Sequence, residues 1–227
     1  MSKMSLREQA LEVHRRLITA YGEPDWRPHM DPISELVSTI LSQNTNDINR
    51  DRAYKQLCER FPDWEGVRDA DVEEIKDAIR ISGLANTKAP AIQRALRRIT
   101  EERGALSLDF LRDMDVENAK KWLTEIKGVG VKTASIVLLF SMGKPAFPVD
   151  THVHRVTQRL GLIGPKDSRE KAHRILEETL PEDTYYAFHL NVIRHGREIC
   201  VAGTPRCDEC VLSDVCAYYE RERASGS

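Results

Sequence analysis

Apolar residues recur along this chain at spacings of three and four and almost nowhere at a spacing of two, which commits it to helices packed on helices. Leu6, Ala10, Val13 and Leu17 share one helical face. So do Ile33, Leu36, Val37, Ile40 and Leu41, then Val72, Ile75 and Ile79, then Ala89, Ile92, Leu96 and Ile99. Later helices are expected at about 117–126, 132–142, 151–161, 169–180 and 184–199. The punctuation agrees: Gly83 closes the helix of Ile75 and Ile79, Pro90 sits near the start of the next, and Asp167 with Glu170 reads as a capping box ahead of Ala172, Ile175 and Leu176. The expected fold is all-α, with about ten short helices, small loops that can carry a site, and a frayed tail from Arg223 to Ser227.

Composition narrows what such a fold can do. At 227 residues and 41% hydrophobic, the chain can bury one sizeable core or two small ones, and it has no run long enough to span a membrane. It shows no apolar signal segment, which points to the reducing cytoplasm. A net charge of −2 means that any binding to nucleic acid rests on a local surface and not on bulk electrostatics.

Four of the five cysteines, Cys200, Cys207, Cys210 and Cys216, lie within seventeen residues in the spacing C-x6-C-x2-C-x5-C, with Cys58 apart from them. In a reducing compartment, clustered thiols are better read as thiolate ligands than as disulfides. Spacing alone leaves two occupants open, a tetrahedral zinc or an iron-sulfur cubane.

A second signal lies in the stretch from Leu123 to Met142, where Gly128-Val129-Gly130 separates two helical patterns. Two glycines one residue apart permit a tight reversal whose N–H groups point outward beside a helix start, a natural anion site as well as a plain hairpin. Lys132 then falls in the first turn of an otherwise apolar helix, where the positive end of the helix dipole disfavours a cation. That field destabilises the ammonium and so favours a nucleophilic amine, although a phosphate-contacting or solvated lysine would also fit. Further on, Asp150 precedes Thr151-His152-Val153 as an evident N-cap, and a carboxylate there could also move a proton or stabilise a cationic sugar. His152, His154, His189 and His195 lack ligand spacing and read as packing or hydrogen-bonding histidines. Arg94, Arg97 and Arg98 form one face and read as solvated.

Taken in order, KGVGVKTA, VDTH and C-x6-C-x2-C-x5-C resemble the helix-hairpin-helix DNA glycosylase superfamily, specifically its endonuclease III branch with an iron-sulfur loop. Residues 60–160 and the cysteine region also resemble the plant 5-methylcytosine DNA glycosylases. The resemblance implies a six-helix barrel domain at 25–144 carrying the hairpin, a discontinuous helical domain made of 1–24 and 145–227, and an active-site cleft between the two. It implies a 4Fe-4S cluster on the four cysteines. It implies that Lys132 attacks the sugar of a flipped, damaged pyrimidine and cuts the strand through a Schiff base, assisted by Asp150. DNA contacts are implied at Gly128 and Gly130, at Gln43 and Asn44 in a first loop (Leu41 to Asp47), at Leu84 and Asn86 in a wedge loop (Gly83 to Ala89), and at Arg206. The partner implied is double-stranded DNA holding a damaged base or an abasic site, met by a monomer. The alternatives are a glycosylase for uracil, mismatched thymine or 5-methylcytosine, and a DNA-binding protein without chemistry, for which a lysine at a dipole-disfavoured position would serve no purpose.

Overall fold

The computed structural model describes residues 4–225, and among them it holds twelve α-helices and no strand. They are α1 (Leu6–Tyr21), α2 (Pro32–Leu41), α3 (Asp47–Arg60), α4 (Trp64–Asp69), α5 (Val72–Ile79), α6 (Ala85–Arg103), α7 (Val116–Thr124), α8 (Val131–Ile136), α9 (Thr151–Leu160), α10 (Arg169–Thr179), α11 (Tyr185–Glu198) and α12 (Ala217–Ser225). The chain divides into two compact units, Arg27–Lys144 and the combination of Met1–Trp26 with Pro145–Ser227. No helix among the described residues is long and apolar enough to cross a membrane.

The unit of residues 27–144 is built around α2, whose residues from Ile33 to Leu41 are all buried. Asp31 caps this helix by accepting the N–H groups of Ile33 (3.1 Å) and Ser34 (3.0 Å), and Pro32 supplies its first turn. Around α2 pack α3, α6 and α8. The last of these does not run on to residue 142 as an α-helix. It widens into a π-turn over Val137–Ser141, and the N–H of His29 reaches the Phe140 carbonyl there at 3.1 Å. In the other unit, α11 packs on α1 and α9. Its core includes Ala10, Val13, Leu17, Phe147, Val153, Leu176 and Phe188, all fully buried.

Several local expectations need correction. Helices α3 and α4 have too few buried apolar residues for periodicity to reveal them: Ala53 and Leu57 in the first, Val67 in the second. The cap of α10 is Ser168, which accepts the Lys171 N–H at 3.2 Å. Asp167 instead receives the Gly164 N–H (2.7 Å) and pairs with the Lys171 ammonium (2.7 Å). Helix α6 starts at Ala85, so the expected wedge loop shrinks to Gly83 and Leu84, and Pro90 lies inside the helix. The tail at 223–225 is the last turn of α12, and its final two residues, 226–227, lie outside the described residues. The 94/97/98 face is partly engaged within the protein, since Arg97 donates to the Arg68 carbonyl (3.2 Å) and Arg98 pairs with Glu102 (2.6 Å) and Glu125 (2.9 Å).

The hairpin between α7 and α8 shows that its two glycines do different work. Gly128 has φ +104, and a Cβ there would meet the Ala91 Cβ of α6 at 2.9 Å. Gly130 has φ −94 and open space around it, and it serves as N-cap of α8. Gly128→Ala should therefore destabilise by about 1–3 kcal/mol through overpacking and positive φ. Gly130→Ala merely exchanges one cap for a poorer one and should cost under about 1 kcal/mol. Urea melts of the two variants against the parent check the difference.

Candidate functional site

Lys132 is the second residue of α8 and is half-buried, directly behind the Gly128–Gly130 turn. Val129 between the glycines is buried, and its N–H closes the turn on the Ile126 carbonyl at 2.9 Å. This packing fixes where the helix starts and hence where the lysine stands. Glu35 of α2 lies in the field of that lysine, and the sequence pattern gave it no role. Burial raises its carboxyl above the ordinary range, while Arg50, Thr39 and Lys132 oppose the shift. Its sequence signal is an acid inside an otherwise buried helical stretch.

Asp150 is the N-cap of α9, its Oδ1 accepting the Val153 N–H at 2.7 Å. The segment ahead of it is held by side chains. His173 Nδ1 contacts the Phe147 carbonyl at 2.7 Å, Glu177 accepts the Phe147 N–H at 2.9 Å, and His189 Nδ1 contacts the Pro148 carbonyl at 2.9 Å. A carboxylate on so fixed a base has a defined direction. His154 and His152 also act through hydrogen bonds: His154 Nε2 reaches the Asp167 carbonyl (2.8 Å), and His152 meets Arg155 (3.2 Å).

The two expected DNA loops belong to one unit and share an unusual backbone. Asn44 (φ 51) and Leu84 (φ 52) are the non-glycine residues with left-handed φ among those described. Asn44 is exposed, whereas Gln43 turns inward and donates its amide to the Gly128 carbonyl at 3.1 Å. Leu84 is 53% exposed, an apolar side chain held in water. Asn86 is exposed in the first turn of α6, and Arg206 is exposed between the second and first cysteines of the C-terminal set.

The four C-terminal cysteines are free thiols, all half-buried, and they line one cavity together with His195, Arg159 and Tyr218. Helix α9 holds this loop in a way the motif did not announce. Arg155 donates to the carbonyls of Cys200 (3.1 Å) and Gly196 (2.7 Å). Arg159 donates to the Cys200 Sγ (3.3 Å) and the Val201 carbonyl (2.7 Å). Gln9 of α1 adds bonds to Leu160 (2.9 Å) and Val215 (3.0 Å). Burial, then the neighbouring sulfurs, raises the Cys207 thiol, and burial pushes Cys210 up to about 11. Four thiolates in that space therefore need a cationic group among them. Among the described residues, no group of three His, Cys, Asp or Glu could hold a single metal ion. A cubane does not require such convergence, because each sulfur binds a different iron. The donor set and the cavity fit a cluster, which Cys200, Cys207, Cys210 and Cys216 would hold.

Comparison with known proteins decides the family. The model of HhH-GPD superfamily base excision DNA repair proteins matches residues 37–182. The chain belongs to this superfamily. Within it, the model for the iron-sulfur binding domain of endonuclease III matches residues 200–216, the span of the four cysteines. Endonuclease III of Thermotoga maritima is 35% identical over 210 residues, 92% of this chain and 93% of that protein. Endonuclease III of Sulfolobus acidocaldarius is 33% identical over 218 residues, 95% of this chain and 94% of that one. A candidate DNA glycosylase of Arabidopsis thaliana is 40% identical over 165 residues, 73% of this chain, which spans just 56% of the plant protein. Among solved structures, a trapped endonuclease III–DNA covalent intermediate matches with TM-score 0.81 at 27% identity, covering 97% of this chain and all of that one. A non-covalent endonuclease III–DNA complex matches with TM-score 0.81 at 26% identity.

This HhH-GPD protein is thus a base excision repair enzyme, a DNA glycosylase and AP lyase that binds DNA and carries a 4Fe-4S cluster. The zinc alternative falls away with that assignment. Cys210→Ser should give protein with reduced visible absorbance, fewer than the about four irons of the parent and a lower melting temperature, because cluster binding here is also folding energy. Iron analysis and thermal melts measure it.

Proposed function

We propose that this protein excises damaged, chiefly oxidised, pyrimidines from double-stranded DNA and then cuts the strand, working as a monomer with Lys132 as the nucleophile and Asp150 as its carboxylate partner. The observation that carries this reading is a half-buried lysine fixed at the start of α8 by a glycine hairpin, a place where helix electrostatics disfavour a cation. In this reading residues 25–144 form the hairpin domain, and 1–24 with 145–227 form the second domain. The exposed N–H groups at Gly128 and Gly130 hold a phosphate and set register without reading sequence. Asn44, exposed where Gln43 is engaged, takes the place of the flipped base, Leu84 fills the opened stack, and Asn86 and Arg206 contact the backbone.

The chemistry follows from the residue types. The Lys132 Nζ lone pair forms a bond to C1′ as the glycosidic C–N bond breaks, and the base leaves with the bonding electrons and takes up a proton. Asp150 stabilises the positive charge that develops on the sugar. The sugar ring then opens to the imine, loss of a C2′ proton expels the 3′ phosphate, and hydrolysis frees the lysine. The cluster, when bound, orders the 200–216 loop and takes no part in these steps. A ring-saturated pyrimidine stacks poorly, so flipping it costs less than the few kcal/mol an intact base demands.

Borohydride should trap a covalent adduct between the parent protein and abasic-site DNA. Lys132→Gln should abolish that adduct while duplex binding stays within about threefold, and a mutant that traps at the parental rate would assign the nucleophile elsewhere. Asp150→Asn should slow base release by about 10²-fold or more with little change in melting temperature, since asparagine also caps helices. Single-turnover excision across thymine glycol, uracil, mismatched thymine and 5-methylcytosine tests the base, with thymine glycol expected fastest.

A further inference from the structure

Lys88, in the second turn of α6, is 1% exposed and heads the largest fully buried side chains of the described protein. A buried ammonium is costly unless its protons are used, and this one donates to the carbonyls of Leu41 at 2.7 Å and Ser82 at 2.8 Å. Those two carbonyls are 41 residues apart in sequence, yet each stands just ahead of one of the two left-handed residues. Leu41 ends α2 three residues before Asn44, and Ser82 lies two residues before Leu84. A left-handed backbone is tolerated by asparagine, but at a leucine it is strained and persists only where the surroundings over-determine it. Two apolar side chains near them in sequence are exposed, Ile48 at 64% and Ile81 at 37%, and α3, which bears Ile48, packs on the Arg80–Ser82 turn.

We propose that Lys88 is a positioning residue that pins the Asn44 loop and the Leu84 loop to one point, so that both residues meet duplex DNA as a single rigid device. The inference rests on the proposed function in one respect, that the opened duplex is what these loops meet. Burial draws the Lys88 ammonium down to about 8, so it is mostly charged at neutral pH and both hydrogen bonds are charge-assisted there. The geometry ties one buried cation to two loops that each hold a left-handed residue.

The test is Lys88→Met, which keeps an unbranched side chain one atom shorter and removes both bonds. It should lower the preference for abasic-site duplex over intact duplex by at least about tenfold and reduce the fluorescence rise of 2-aminopurine placed opposite the lesion. Borohydride trapping on a single-stranded abasic oligonucleotide, which has no stack to open, should stay within about twofold of the parent. Equal losses on single-stranded and duplex DNA, or no loss of discrimination, would overturn the proposal. Should Lys88→Met fold poorly, variants that keep Lys88 decide: Asn44→Ala and Leu84→Ala should combine non-additively in duplex discrimination if one pin holds both loops, and additive effects would refute it. Failure of the Lys132 mechanism would show separately, as absence of trapping by the parent itself, and leaves the binding and fluorescence measurements intact.

Discussion

The shape of this protein depends on how main-chain carbonyls at the ends of its helices and in the loops between them find donors. Many short helices leave many orphan groups at their ends, and a loop that stays buried must have each of them satisfied. Here long side chains do it from a distance. Gln93 donates to Ala70 (2.8 Å) and more weakly to Val67 and Arg68, Lys88 to Leu41 and Ser82, and Arg155 and Arg159 to the Cys200 segment. Leaving one such buried group unsatisfied costs about 1–3 kcal/mol. A whole domain is stable by only about 5–15 kcal/mol. A few of these pins therefore weigh as much as the margin that keeps the chain folded, and they are also what gives the functional loops a shape.

That dependence explains what could be read from the chain and what could not. Helices α1, α2, α5, α6, α9 and α11 were legible because each buries apolar residues at helical spacing, as Ala89, Ile92, Leu96 and Ile99 do in α6. Helix α3 was not, because half of its residues are charged and it contributes Ala53 and Leu57 alone to the interior. The cysteines, Lys132 and Asp150 stood out because each belongs to a short local pattern. Lys88, Glu35, Arg155 and Arg159 act on partners distant in sequence, Lys88 on a carbonyl 47 residues away. Nothing local marks such a residue until the backbone that it holds is known. The cap of α10 failed for a smaller reason: Asp167 and Ser168 are adjacent and both suited to capping, and the aspartate had other partners.

The acidic balance of the chain and its binding to DNA are reconciled by the same economy of main-chain groups. Several cations are already matched by acids: Arg50 by Asp47 and Asp51, Arg98 by Glu102 and Glu125, Arg16 by Glu12 and Asp214. Such pairs contribute little to stability at the surface and dampen the long-range field. A phosphate held by N–H groups at a helix start needs no net positive charge, because the amide dipoles are fixed by the fold. In the proposed reading the open space beside Gly130 is where such a phosphate would approach, while Gly128 is packed against α6.

Asp150 is open to a capping role and a chemical role, and its geometry lets both stand. The cap uses Oδ1, which accepts the Val153 N–H at 2.7 Å, and a carboxylate carries lone pairs on two oxygens. Capping also does more than stabilise α9. It fixes the side-chain torsion, while His173, Glu177 and His189 fix the backbone on the N-terminal side through Phe147 and Pro148. A carboxylate meant to meet a developing sugar cation must not swing away from it, since stabilisation of charge depends on dipoles and ions that are already in place when the charge forms. In the proposed mechanism the structural role is thus the means by which the chemical role gains its direction, and asparagine, which keeps the first and loses the second, separates them.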